Sequence, residues 1–314
     1  MISVIIPTYN REDCLFNTLE SFDEQKCSVD FEILVIDQSE NPSNEKIERI
    51  LNVRSKVHYY RINRAGRSIA KNAAIPLASG QVLLFCDDDI IAESNFLDIH
   101  WNTHISNPDI GAMSCHLIEK GQEEVNYPHP LKITNYGRFI NVPNSTWSGY
   151  VTSLNGGNMS FKKVALDKAG FFEEVLVGTS MLEEPDIAHR ILMNGYKIYF
   201  SAATKVKHFP QHNGNLSTQA AKEMNWTKNY FFNQYYFLFR NYRKRFIPLV
   251  FIYLSYRSAL IFFSKKGIQI SIFGFPVCCL LDAASCWNKL KYTYTRPWYT
   301  PLRNAVSILQ YKSN

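Results

Sequence analysis

Short apolar runs alternate with helically spaced segments through the first hundred residues. Ile2 to Ile6 (ISVII), Phe31 to Ile36 (FEILVI), Val57 to Ile62 (VHYYRI) and Val82 to Cys86 (VLLFC) are dense in β-branched and large apolar side chains. Runs of this kind suit parallel strands buried on both faces. Between them, Asn10 is placed to cap a helix whose apolar face is Leu15, Leu19 and Phe22, and Ser43 one that carries Ile47, Ile50 and Leu51. A third helix runs from about Arg67 to Leu77, and a fourth opens at Ser94 and reaches about Ser106. Strand and helix repeated in this order predict a doubly wound α/β sheet, with ligands at the C-terminal ends of the strands.

Ile110 to Ile118 reads as a further strand. From Glu119 to Gly149 no period holds, and the prolines, Asn and Gly there predict a long functional loop or insertion. Regular pattern returns with Ser153 to Phe161, a helix from about Lys162, and a helix from about Glu183 to Met193 stopped by Asn194-Gly195. Two strands follow, around Tyr196 to Ser201 and Lys205 to Phe209. Beyond Gln211 the pattern changes: Trp226 to Arg240 is densely aromatic, and Phe246 to Phe263 and Ile268 to Leu281 are strongly apolar.

Composition sharpens this picture in three ways. A chain of 314 residues with 46% hydrophobic and 20% charged residues buries a sizeable core and excludes bulk disorder. The net charge of +6 is unevenly spread. From Arg240 onward there are twelve Lys and Arg and a single acid, Asp282, so the remainder of the chain is net negative. An acidic body with a basic tail predicts that the tail meets something anionic. The seven cysteines lack metal-ligand spacing and read as buried free thiols in a reducing compartment. The opening MISVIIPTYNRED lacks a basic n-region and reads as a buried strand, not a signal peptide. The expected location is therefore cytoplasmic.

The candidate chemistry lies at the predicted strand ends. Pro7-Thr8-Tyr9-Asn10-Arg11 follows the first strand, without the glycine-rich turn of a nicotinamide-binding enzyme. Asp37 ends the second strand, where an acid accepts a hydrogen bond from a base or ribose. Gly66 stands at a helix start with cations nearby, and Lys71 lies about one turn in. Asp87-Asp88-Asp89 ends the apolar strand VLLFC. Three adjacent like charges are costly without a cation. Oxygen ligands at Asp87 and Asp89 suit Mg²⁺ or Mn²⁺, with His208, after the last strand, as a third ligand. Glu183-Glu184-Pro185-Asp186 is good helix-start chemistry. It is also a source of a general base, since clustered acids raise one another's pKa.

These motifs, taken in order, resemble the inverting nucleotide-sugar glycosyltransferases of family two, whose fold is called GT-A. The resemblance covers roughly residues 1 to 210 and rests on SVIIPTYNR, VIDQSE, NRAGRSIAKNAAI, LLFCDDDI, NGGNMSFKK and EEPDIAHRI. It implies a mixed, mainly parallel sheet and a catalytic domain over residues 1–215, with a nucleotide-binding half to about 118 and an acceptor half beyond it. It further implies that Pro7, Thr8, Asn10, Arg11, Asp37, Gly66, Lys71, Asp87 and Asp88 face the nucleotide sugar, a UDP-sugar by default. Asp89 would bind the metal, and Glu184 would act as base, with Glu183 and Asp186 as alternatives. Trp147, Asn155, Gly156, Gly157 and Arg190 would form the acceptor side. Gln38 stands where the family often has an acid or Asn, and Glu184 where Asp is usual.

Residues 216–314 read as a helical, aromatic-rich and basic appendage. Arg257 makes a bilayer span of Phe246 to Phe263 expensive, and Ile268 to Leu281 is short for one. Amphipathic helices lying on the inner face of the cytoplasmic membrane fit better, with Arg243, Lys244, Arg245, Lys265 and Lys266 on anionic lipid; the alternative is a helical appendage packed on the catalytic domain. The acceptor would then be a glycan or a lipid-linked one, as in surface-polysaccharide assembly. Rival readings are a nucleotidyltransferase, which lacks its glycine-rich basic loop here, and a non-catalytic nucleotide-sugar-binding module, against which the acid cluster argues. Long apolar runs in the tail argue against nucleic acid.

Overall fold

The computed structural model describes residues 1–53, 56–134, 139–176, 180–209, 224–241 and 307–311. Four parallel strands make its centre: β1 (Ile2–Thr8), β2 (Phe31–Asp37), β3 (Val57–Ile62) and β4 (Val82–Cys86). Their connections are α1 (Glu12–Asp23), α2 (Asn44–Val53) and α3 (Arg67–Ala74). Then come β5 (Ile90–Ala92), α4 (Phe96–Ser106), β6 (Ile110–Glu119), β7 (Leu131–Ile133), β8 (Phe139–Asn141), β9 (Gly149–Val151), β10 (Asn158–Lys162), α5 (Lys163–Ala169), α6 (Glu183–Met193), β11 (Lys197–His208), α7 (Met224–Asn241) and β12 (Ile308–Tyr311).

One mixed sheet runs β12-β3-β2-β1-β4-β10-β6-β11-β5, with β9 paired to β11. Strand alternation divides the core between its faces. Val4 and Ile6 join Leu15, Leu19 and Phe22 of α1, Ile47, Ile50 and Leu51 of α2, and Phe96 of α4. Ile5, Leu34 and Ile36 point the other way, onto Ile69 and Ala70 of α3, Leu166 of α5 and Ile187 and Ile191 of α6. The doubly wound expectation therefore holds, and β1, β2 and β4 all end at the same sheet edge.

The structure corrects several local expectations. Asn10 does not cap α1. It lies in the left-handed region at φ 54°, and its amide donates to Ser39 Oγ, while Arg11 holds the cap position. The two strands expected after α6 are one, β11, interrupted by register shifts between Ser201 and Lys205. The unreadable stretch after Glu119 contains the small β7–β8 ladder and then β9. Its strands are three residues each, too short for a period to show.

After residue 215, where a helical appendage is expected, the described parts are the helix α7 and the strand β12, which is not helical. β12 adds an antiparallel edge to β3, and Tyr311 packs edge-on against Tyr59 at 5.5 Å between ring centroids. Phe246–Phe263, Ile268–Leu281 and the basic residues Arg243, Lys244, Arg245, Lys265 and Lys266 lie outside the described residues. No helix among the described residues is long and apolar enough to cross a membrane. Cys14, Cys86 and Cys115 are buried free thiols, and Cys27 is a half-buried one.

Under β10 lies a buried polar cluster. Ser160 Oγ hydrogen-bonds both His100 Nδ1 at 2.7 Å and His104 Nε2 at 2.8 Å. Burial depresses His100 well below the usual imidazole range and His104 to about 3. The unfolded chain takes up these protons near pH 6.5 and the folded chain does not. Their contribution is therefore intact above that pH and is lost as pH falls towards the folded values. His104→Gln should flatten the dependence of unfolding free energy on pH, between about pH 6 and 4.5, by about 1.4 kcal/mol per pH unit. Denaturant titrations at several pH values measure this, and a slope equal to wild type would mean that folded His104 is already protonated.

Candidate functional site

The Asp triplet sits where β4 ends beside β1. Two of its carboxylates share Arg11, and the third faces Arg67. Asp88 turns inward: Thr8 Oγ1 donates to Oδ2 at 2.7 Å and Arg11 Nη1 to Oδ1 at 2.9 Å. Burial pushes the Asp88 pKa up to about 7, against the pull of Arg11. Asp89 also takes a short hydrogen bond from Arg11 Nη2, and its other oxygen lies 3.2 Å from His208 Nε2. Although burial raises its pKa, His208 and Arg11 hold it below the usual carboxylate range. Asp87 is half-buried and faces Arg67 Nη2 at 3.4 Å.

Asp87, Asp89 and His208 each offer a ligand atom, all within 4.8 Å of one another. Two hard carboxylate oxygens and an imidazole fit Mg²⁺ or Mn²⁺. His208 reaches the triplet because β5 and β11 pair in register, His208 against Ile90. Its other ring nitrogen lies 3.5 Å from Glu119, the kind of carboxylate that orients a ligating imidazole.

The acidic start of α6 lies opposite. Its entry is strained: Ser180 and Leu182 hold φ of 54° and 76°, conformations that cost non-glycine residues of order 1 kcal/mol each. The three acids diverge around the helix. Glu183 is buried and pairs with Lys71 Nζ, while Ser68 Oγ donates to it at 2.7 Å. Asp186 is buried and chelated by Arg190 Nη2 at 2.7 Å and Nε at 3.1 Å. Glu184 alone of the three is half-buried. Burial and the neighbouring Glu183 charge push its pKa up to about 7, opposed by Lys71 and Arg67.

A two-glycine turn brings the two acidic groups together. A Cβ on Gly156 would lie 2.2 Å from Glu184 Oε1, and one on Gly157 3.5 Å from Asp87 Oδ2. Adjacent Cα atoms are about 3.8 Å apart, so Glu184 and Asp87 flank one short turn. Asn155 shapes it, its Oδ1 accepting from the Gly157 amide at 3.0 Å. Arg67, 3.4 Å from Asp87, feels both groups: Asp87 above all, then Glu183, Glu184 and Asp89, raise its pKa against burial.

Several residues expected at the substrate also have partners within the protein. Lys71 is buried under α6 with Glu183, because a buried acid needs a counterion more than a solvated phosphate does. Arg190 is held by Asp186 and donates to the Ala169 carbonyl at 2.6 Å. Asp37 is buried, accepting from Tyr59 OH and from the Ser39 amide at 2.7 Å. The Gly66 amide donates to Gln38 Oε1 at 2.6 Å. Trp147 packs on His129 and over Gly149, where a Cβ would lie 2.3 Å from the indole. Pro7, within β1, and Arg11, after it, are half-buried, and Asn10 is exposed. Arg67 and Glu119 were not singled out by sequence. The first carried a usable signal, a cation at the first position of a helix after glycine. The second had none, since it depends on the β6–β11 pairing.

Residues 3–170 match the sequence profile described as Glycosyl transferase family 2. A poly(ribitol-phosphate) beta-N-acetylglucosaminyltransferase, TarP of Staphylococcus aureus (strain N315), is 26% identical over 113 residues, 35% of each chain. The matched segments span about a third of the length of the curated relatives. Among solved structures, S. aureus TarS 1-349 in complex with UDP-GlcNAc aligns at TM-score 0.62 with 13% identity, covering 94% of this chain and 91% of that one. The mannosyltransferase PcManGT from Pyrobaculum calidifontis, in complex with GDP-Man and Mn²⁺, aligns at 0.56 with 17% identity, covering 92% and 87%. At these identities the structural likenesses establish the shared GT-A architecture, and the profile match over more than half of the sequence establishes kinship: the chain belongs to glycosyl transferase family 2.

Proposed function

We infer that the protein transfers a sugar from a nucleotide diphosphate donor to an acceptor hydroxyl with inversion at the anomeric carbon. The observation that carries this reading is the placement of Glu184 and Asp87 on either side of Gly156-Gly157. A base and a diphosphate-binding acid must face each other across a sugar for a single in-line displacement.

Glu184 accepts the proton of the acceptor hydroxyl as that oxygen bonds to the anomeric carbon. The bond from that carbon to the diphosphate oxygen breaks, and the pair of electrons leaves on the nucleotide. Its raised pKa suits Glu184 to this work near neutral pH. Asp87, Asp89 and His208 would hold Mg²⁺ or Mn²⁺, which when bound neutralises charge on the leaving diphosphate. Arg67 adds a fixed cation at the same place. Arg11 and Thr8 hold Asp88 and Asp89 so that the triplet presents Asp87 and one Asp89 oxygen. The segment Pro7–Arg11 and the strand end at Asp37 form the nucleoside side, and the turn Asn155–Gly157 the acceptor side.

A UDP-sugar is the default donor, and a cell-surface polymer or lipid-linked glycan is the acceptor class. The likeness to TarP, a poly(ribitol-phosphate) beta-N-acetylglucosaminyltransferase, and to TarS, which binds UDP-GlcNAc, supports this choice. The basic tail suits peripheral contact with anionic lipid on the cytoplasmic face of the membrane.

Four outcomes follow. Glu184→Gln should abolish transfer while leaving donor affinity, measured calorimetrically, within about twofold of wild type; turnover within about tenfold of wild type would move the base elsewhere. In the same assays wild-type kcat should fall as pH drops through about 7, the value to which Glu184 is raised, because the protonated acid cannot accept. Asp89→Ala should weaken Mn²⁺-dependent UDP binding by at least about tenfold, and equal affinity by titration calorimetry would remove Asp89 from the ligand set. Gly156→Ala should lower kcat by about a hundredfold by displacing the Glu184 carboxylate, with little change in donor KM.

A further inference from the structure

The end of α7 meets the first turns of α6 in a buried polar junction that the reaction itself does not use. Asp186 Oδ2 is filled by Arg190, and its remaining oxygen, Oδ1, accepts from Asn241 Nδ2 at 2.9 Å. Asn241 is the last residue of α7, and the same amide reaches back to the Phe237 carbonyl at 3.1 Å. Next to it, Arg240 forms a close ion pair with Glu173 and lies 4.0 Å from Asp186. Both of those acids are almost wholly buried. Glu173 belongs to a segment that Asn72 of α3 grips on both sides of Phe172, donating to its carbonyl at 2.9 Å and accepting from its amide at 2.8 Å.

The start of α6 lacks the usual means of fixing a helix end. Leu182 occupies the cap position with a left-handed backbone and no side-chain cap bond. Two anchors remain. Glu183 is tied down by Lys71 and Ser68, and Asp186 by Arg190 and α7. Glu184 stands between them in sequence, and its carboxylate sits against Gly156. A helix start without a side-chain cap transmits the loss of either anchor to the residue between, and a buried acid left with an unmet oxygen forces its surroundings to move.

We propose that Asn241, seconded by Arg240, is a positioning residue for Glu184: the α7 helix of the appendage fixes the first turns of α6, and so the place of the base, through Asp186. This rests on the reading of Glu184 as base. The appendage is thereby part of the catalytic geometry, beyond any part it plays in binding other molecules.

The test uses the full chain in three forms: wild type, Asn241→Leu and Phe232→Leu. Phe232 is buried on the same helix, so the second variant loosens α7 by packing alone. For Asn241→Leu the expectation is a kcat about tenfold lower with donor KM within about twofold. Amide hydrogen exchange over residues 183–187 should be about tenfold faster, while that of β1 and β4 is unchanged. Phe232→Leu should keep kcat within about twofold at a similar loss of melting temperature. Equal loss of kcat in both variants, or exchange at 183–187 unchanged by Asn241→Leu, overturns the proposal. The exchange measurement needs no turnover. Should Glu184→Gln prove as active as wild type, the identity of the base fails, while faster exchange in Asn241→Leu would still establish the tether.

Discussion

Six carboxylates crowd the edge of the sheet and the helix facing it: Asp87, Asp88, Asp89, Glu183, Glu184 and Asp186. Their mutual repulsion is the constraint that organises the region, because little water reaches most of them. Arg11 holds Asp88 and Asp89, Lys71 holds Glu183, and Arg190 holds Asp186. After this pairing two carboxylates remain half-buried, Asp87 and Glu184, with Arg67 near both. The residual chemistry of the cluster is thus concentrated in one acid at the strand end, one on the helix, and one cation that feels both.

The sheet makes this pairing possible. Parallel β1, β2 and β4 bring Thr8, Asp37 and Asp87 to one edge. β10 then runs antiparallel between β4 and β6, so its start, the Gly156-Gly157 turn, arrives at the same edge. A side chain at Gly156 would fill the space now taken by the Glu184 carboxylate and one at Gly157 would press on Leu117, so glycine there is required by contact more than by backbone freedom. β11, parallel to β6 and paired with β5, carries His208 back to the triplet. Three distant parts of the chain therefore meet without a long loop.

The appendage extends this logic. α7 ends on Asp186 and Glu173, and β12 closes the free edge of β3, where Asn63 Nδ2 donates to Ser307 Oγ at 2.9 Å. Tyr311 packs on Tyr59, whose hydroxyl donates to Asp37. Both described pieces of the tail thus touch residues that support the site. In the proposed reading, the tail buttresses the base on one side and the nucleoside acid on the other.

Much of the fold was legible along the chain. The unbroken apolar runs marked β1 to β4, the spacing of Leu15, Leu19 and Phe22 marked α1, and the acids followed by Asn194-Gly195 bounded α6. These features are local, set by backbone geometry and burial over a few residues. The order of the motifs likewise carried the family. The sequence did not reveal which charges answer one another. Lys71 and Arg190 read as substrate contacts, but folding places each beside a buried acid, and a desolvated carboxylate takes the nearest cation. Nor did it separate Glu183, Glu184 and Asp186, which are equivalent as letters. Only the rotation of successive residues around α6, with Lys71 on one side and α7 on the other, leaves Glu184 facing the turn. Partners more than a hundred residues apart, such as Ser68 and Glu183, carry no local signal, because their meeting depends on how the whole sheet is wound.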